Sequence, residues 1–164
     1  MSQRESEIAR RAVAIAAALA AADPGEKAEA RRMGPGGSAL FWRQVTRLGI
    51  SASQEAPWRA YTRLVALMTP ASRDRSIHDA ERPLGAAMAE AGLSEQRFAR
   101  LLAARGPARE DALERAIRMI ARKAPGVDVR ELAQAILWPA DTGQLARRYY
   151  EKTDHVKPED TQDA

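Results

Sequence analysis

The sequence contains no cysteine and only two histidines, His78 and His155. Without thiols, disulfides and thiolate metal sites are excluded, which fits a reducing compartment. The histidines fall in what reads as a linker and a tail, with no second ligand at metal-binding spacing. Both are expected to be exposed, and no metal site is expected. Aromatic residues are scarce, with three Trp, three Tyr and two Phe, and β-branched residues are few, so sheet is disfavoured. Long apolar runs are also missing. The longest, Ala12 to Ala22, is too short to span a bilayer and carries no cleavage pattern, which suggests a cytoplasmic protein.

Catalytic signatures are missing too. Neither a G-x-S-x-G elbow nor an H-E-x-x-H pair occurs. Gly34-Pro35-Gly36-Gly37-Ser38 looks like a phosphate loop, but no strand precedes it and no Lys-Ser/Thr ends it, so a loop followed by an N-cap is the better reading. The carboxylates sit mostly in first helical turns or at i,i+4 positions, which are structural placements. No enzyme and no cofactor are expected.

What the chain does have is Ala, Leu and Arg. Apolar residues make up 45% of 164 positions, enough for a packed core. Helix signals recur throughout, and stops at Asp23-Pro24-Gly25, Gly34–Gly37, Pro70, Gly92 and Gly106 divide them. Ser38 and Ser94 read as N-caps, Pro57, Pro83 and Pro107 as helix openers, and Asp128 with Glu131 as a capping box. The pattern predicts an all-α protein of eight to nine helices in two small helical-bundle lobes. Residues 1–75 would form the first lobe and 76–153 the second, with 71–81 as the linker. Residues 154–164 would be a polar, disordered tail.

Charge is distributed unevenly. The formal net charge is +4, but residues 151–164 hold five acids and two Lys, leaving the first 150 residues more basic than the total suggests. Of 26 basic residues only four are Lys. Arg offers a planar fork suited to phosphate, whereas Lys is a mobile point charge. GC-rich codon bias also raises Arg and Ala together, but it does not explain where the arginines fall. Arg43 and Arg47, and Arg59 and Arg63, are spaced i,i+4, and Arg97 and Arg100 i,i+3. Arg115, Arg118 and Arg122 share one helix face, and Arg147 and Arg148 are adjacent. Residues 31–63 contain six Arg and one acid, Glu55.

Such pairs suit neighbouring phosphates of a strand. Solvated faces with internal ion pairs are the competing explanation, with Asp111–Arg115 and Glu114–Arg118 at the right spacing. The best candidates for nucleic-acid contact are Arg31, Arg32, Arg43, Arg47, Arg97, Arg118 and Arg122, followed by Arg147 and Arg148. Arg31 and Arg32 could instead cap the helix before the glycine loop. Trp42, Trp58 and Trp138 lie on apolar faces and are expected in the core. Residues 94–123 also fit a helix-turn-helix regulator, although a second helix with its own apolar stripe and no Asn or Gln reads bases poorly.

In order and spacing, these pieces resemble the CasB family, the small subunit of the type I-E CRISPR Cascade complex. The likeness is carried by four segments. The first is Arg31-Arg32, a loop and Ala39-Leu40-Phe41-Trp42-Arg43. The second is Leu84-Gly85-Ala86-Ala87-Met88-Ala89 with Gly92, Arg97-Phe98 and Leu101-Leu102. The third comprises Leu113, Arg115, Arg118, Asp128, Leu132, Ala133 and Trp138, and the fourth Arg147-Arg148-Tyr149-Tyr150. The resemblance implies a non-catalytic subunit present as a head-to-tail pair beside the backbone and large subunits. It further implies contact with target DNA, chiefly the displaced non-target strand, and with the CRISPR RNA backbone, which would stabilise the R-loop. A structural adaptor whose arginines meet acidic protein surfaces is the alternative.

Overall fold

In the computed structural model, which describes residues 2–156, side-chain caps and proline or glycine breaks set most helix boundaries. Ser2 and Glu5 form a reciprocal capping box at the start of α1 (Gln3–Ala21). Asp23 Oδ1 accepts the Glu26 N–H at 2.8 Å and opens α2 (Pro24–Arg32). Ser38 caps α3 (Ala39–Leu48), which Gly49 closes with a left-handed φ of 65°. A 3-10 turn over 52–54 leads into α4 (Glu55–Leu67). There follow α5 (Leu84–Glu90), α6 (Glu95–Ala103), α7 (Pro107–Lys123), α8 (Val129–Leu137) and α9 (Gly143–Val156). The described residues thus form nine α-helices and no strand, as the all-α reading expected. An isolated bridge pairs His78 with Val127. No helix among them is long and apolar enough to cross a membrane. Residues 154–156, expected in the tail, belong to α9, while 157–164 and the His155 side chain lie outside the described residues.

Apolar stripes at helical spacing meet in one contiguous cluster that draws on every helix. Ile15 and Leu19 of α1, Trp58 and Val65 of α4, Ile117 and Ile120 of α7, and Leu132 of α8 are all completely buried. α8 packs against α1 and α4, and α7 against α4, α5 and α6. The Tyr61 hydroxyl donates to Ala12 O at 2.6 Å, which satisfies a buried polar group and ties α4 to α1. The segment expected as a linker is a packed strap. Lys27 Nζ donates to Arg73 O at 2.6 Å, Ile77 is 1% exposed, and across the bridge Asp79 N–H donates to Val127 O while Val127 N–H donates to Ile77 O. Arg82 adds bonds to Ala124 O and Gly126 O. Its lack of periodicity reflects irregular backbone held by side chains.

Two other expectations are corrected here. Glu131 does not close a capping box on Asp128. Its Oε1 accepts the Leu84 N–H at 3.2 Å and so caps α5, while Asp128 N–H donates to Arg82 O. His78 is only half-exposed. Its Nδ1 accepts the Val129 N–H at 3.2 Å, so it helps to start α8.

α5 crosses α9 closely at Gly85. A Cβ there would lie 2.3 Å from Leu145 O and 2.8 Å from Tyr149 N, both backbone atoms that cannot step aside. The Gly85→Ala variant is expected to lose at least ~1–3 kcal/mol, read as a lower urea midpoint. A second tie joins α4 to α7, where Arg63 Nη2 meets Glu114 Oε1 at 2.7 Å. The Arg63 hydrogen bond, assisted by Arg118, holds the Glu114 carboxyl below its ordinary range despite partial burial. A depressed carboxylate contributes stability above its unfolded pKa and loses it as pH falls through the folded value. Urea midpoints followed into acid should therefore drop less steeply for Glu114→Gln than for the parent chain.

Candidate nucleic-acid interface

Two amphipathic helices build a strongly cationic concavity. Ser94 Oγ accepts the Arg97 N–H and starts α6, whose Phe98 and Leu101 turn inward. That orientation leaves Arg97 and Arg100 facing solvent. α7 opens at Pro107 and buries Leu113, Ala116, Ile117 and Ile120, so Arg115, Arg118 and Arg122 lie on its outer side. Between the helices runs a cleft of about 580 Å³ lined by these five arginines over a floor of Leu93, Ala112 and Met119. No carboxylate lines it.

Pairing separates the five. Arg118 bonds Glu114 Oε1 through Nη2 at 2.9 Å, and Glu114 is shared with Arg63. The guanidinium groups of Arg97, Arg100, Arg115 and Arg122 are unpaired with any described residue. Of the two ion pairs expected on α7, Glu114–Arg118 forms and Asp111–Arg115 does not. Unpaired like charges in a concave, partly apolar surface focus a positive potential and attract an extended anion. A second cleft of about 340 Å³, between α4 and the start of α7, contrasts with it. Its lining includes Arg63, Arg105 and Arg109 together with Glu110, Asp111 and Glu114, so its formal charges balance.

Of the sequence candidates, the structure brings Arg97, Arg118 and Arg122 together in the cleft. Arg31, Arg32, Arg43, Arg47, Arg147 and Arg148 do not line it. Arg31 Nη1 donates to Thr69 O at 2.9 Å and so holds the end of α4 rather than capping its own helix. Arg43, which has no acid near it in sequence, meets Glu26 of α2 at 2.6 Å. Arg148 pairs with Glu151 at 3.4 Å. Arg32, Arg47 and Arg147 are exposed and unpaired among the described residues. Arg100 and Arg115 were missing from the candidates, although helix spacing had already put each on a face with a chosen residue.

The arginine excess also serves the interior. Arg109 is 4% exposed and donates to Leu101 O at 3.2 Å and Ala135 O at 3.1 Å. Burial without a carboxylate partner, reinforced by Arg105, lowers its pKa. Arg11 is buried beside Gly49 O and Gln54, with Glu7 at 2.8 Å. Nothing in their sequence surroundings distinguished these two from surface arginines. Among the tryptophans, Trp58 is core and Trp138 half-buried, but Trp42 is 39% exposed, against expectation. Phe41 takes the inward position, and one residue on, about 100° round the helix, Trp42 Nε1 donates to Gly36 O at 2.8 Å. Among the described residues, no group of three or more His, Cys, Asp or Glu is placed to hold a metal ion.

Residues 17–151 match the model of the CRISPR-associated protein Cse2 family. The fold is similar to the crystal structure of CasB from Thermobifida fusca, with a TM-score of 0.64 and 18% sequence identity, covering 94% of this chain and 97% of that one. No curated protein sequence matches the chain. With the family model spanning most of an all-α chain that carries the expected segments in order, this protein belongs to the CRISPR-associated Cse2 family.

Proposed function

We propose that this chain is a non-catalytic small subunit of a type I-E RNA-guided CRISPR surveillance complex, Cascade. In this reading it binds nucleic-acid backbone in the α6–α7 cleft and stabilises the R-loop by holding the displaced non-target strand. The observation that carries this reading is the cleft itself, with five arginines, no lining carboxylate and four guanidinium groups left unpaired. Family membership supports the assignment to a CRISPR complex. The partners follow as part of the proposal: target DNA, the CRISPR RNA backbone, the backbone and large subunits, and a second copy arranged head to tail. The cytoplasm is where such a complex would meet invading DNA.

The energetics favour a subunit of this kind. A guide–target heteroduplex is about as stable as the DNA duplex it replaces, with ~1.4 kcal/mol of stacking per DNA base-pair step. A few phosphate contacts on the displaced strand can then tip a nearly balanced exchange. Sequence is read by the guide, so such a subunit needs backbone contacts and no base code. The cleft floor has no aromatic residue on which a base could stack.

The test is fluorescence anisotropy of the protein with single-stranded oligonucleotides from about 50 to about 300 mM salt. Four free arginines predict a log–log salt slope near −3, at ~0.7 per neutralised phosphate. Arg97→Ala, Arg115→Ala and Arg122→Ala together should flatten the slope by about 2. Oligonucleotides of different sequence are expected to bind alike. An unchanged slope in the triple variant would reject the cleft as the binding site. Salt-independent or undetectable binding would favour the adaptor, whose arginines meet acidic protein surfaces.

A further inference from the structure

Residues 157–164 follow directly on the last turn of α9 and carry Glu159, Asp160 and Asp163 against Lys157 alone. Their charge is opposite to that of the α6–α7 cleft, whose free guanidinium groups have no anionic partner among the described residues. The middle of α9 is anchored beside that cleft. Tyr149 stacks on Phe98 of α6 with centroids 3.9 Å apart, and its hydroxyl donates to the backbone oxygen of Leu93 at 2.6 Å. Leu93 is itself part of the cleft floor. Tyr150 meets Phe98 edge-on, and Lys152 Nζ pairs with Glu90 at 3.2 Å, so α9 is held through residue 152 at the corner where α5 gives way to α6.

The reach is sufficient. Eight extended residues span up to ~27 Å. From Tyr149 to Val156 the helix rises only ~10 Å, and Arg115 to Arg122 cover a similar ~10 Å. We propose that the acidic segment 157–164 docks into the arginine cleft and competes there with nucleic acid, which presupposes that the cleft is the nucleic-acid site. The contact is intramolecular, so weak pairing suffices: a short tether holds its segment at an effective concentration of order millimolar. A longer polyanion with more phosphates displaces it. Salt screens the exposed tail charges within about a Debye length, so the competition fades as ionic strength rises.

The experiment uses the full chain. A variant with Glu159→Gln, Asp160→Asn and Asp163→Asn is compared with an equally charged control, Glu29→Gln, Asp74→Asn and Glu81→Gln, whose acids are exposed elsewhere. Both gain the same net charge, so a difference between them reports position. At low salt the tail variant is expected to bind a thymidine oligonucleotide of about 16 nucleotides roughly threefold to tenfold more tightly than the control. The advantage should vanish when Arg97, Arg115 and Arg122 are alanine. Equal affinities for tail variant and control would overturn the proposal. A second readout needs no nucleic acid. On neutralising the tail, the Nε–Hε NMR signals of Arg97, Arg115 and Arg122 should shift while those of Arg32 and Arg47 stay in place. Cleft signals that do not move would overturn the docking even if the cleft binds DNA. Conversely, if the alanine triple retains full DNA affinity, the nucleic-acid reading fails while the NMR comparison still decides the tail contact.

Discussion

Leu113, Ala116, Ile117 and Ile120 are each at most 2% exposed, and burying them fixes the rotation of α7 about its axis. A helix has one degree of freedom of that kind, and an apolar stripe removes it. Once the stripe faces α4, α5 and α6, residues 115, 118 and 122 must project from the opposite side. α6 is held in the same way by Phe98 and Leu101, which places Arg97 and Arg100 across from them. The cationic cleft is therefore a consequence of core packing. Its arginines need no contacts of their own to be held in place, and four of them remain unpaired as a result.

The arginines divide by what surrounds them. Arg109 and Arg11 are buried and donate to backbone carbonyls, holding helices where a Lys point charge would make fewer bonds. Arg43, Arg63 and Arg148 face acids and are largely neutralised. Apart from Arg118, the cleft arginines meet no acid among the described residues and are exposed to water. Mutual repulsion among them raises the energy of the empty cleft, and an anion relieves it. For a strand held by phosphate contacts, such unneutralised charge is the useful kind, because binding releases counterions rather than breaking ion pairs within the protein.

The strap over 71–83 and the crossing at Gly85 connect these features. Lys27, Arg82 and His78 hold the strap to α2 and to the turn before α8. Gly85 lets α9 approach α5 without a side chain between them, and that approach brings Tyr149 onto Phe98 and Leu93. Through Tyr149, α9 is thereby anchored to Leu93, a residue of the cleft floor.

Much of this could be read from the chain alone. Helix content, the caps at Ser38 and Ser94, the opening at Pro107 and the shared faces of Arg97/Arg100 and Arg115/Arg118/Arg122 are local properties, set by periodicity and capping within a few residues. The family likeness was legible because its segments keep their order. Which arginines stay free was not legible, since ion pairing is decided by residues distant in sequence. Residues 31–63 seemed the most purely basic stretch, yet Glu26 reaches Arg43 and Glu114 reaches Arg63 from other helices. The same holds for Arg109, which looks like any exposed helical arginine until α6 and α8 close over it. Sequence alone determined that the chain is helical and where each helix carries its charge. Tertiary structure decided which charges meet an opposite partner and which meet only one another, because Coulomb interactions depend on distance in space and not along the chain.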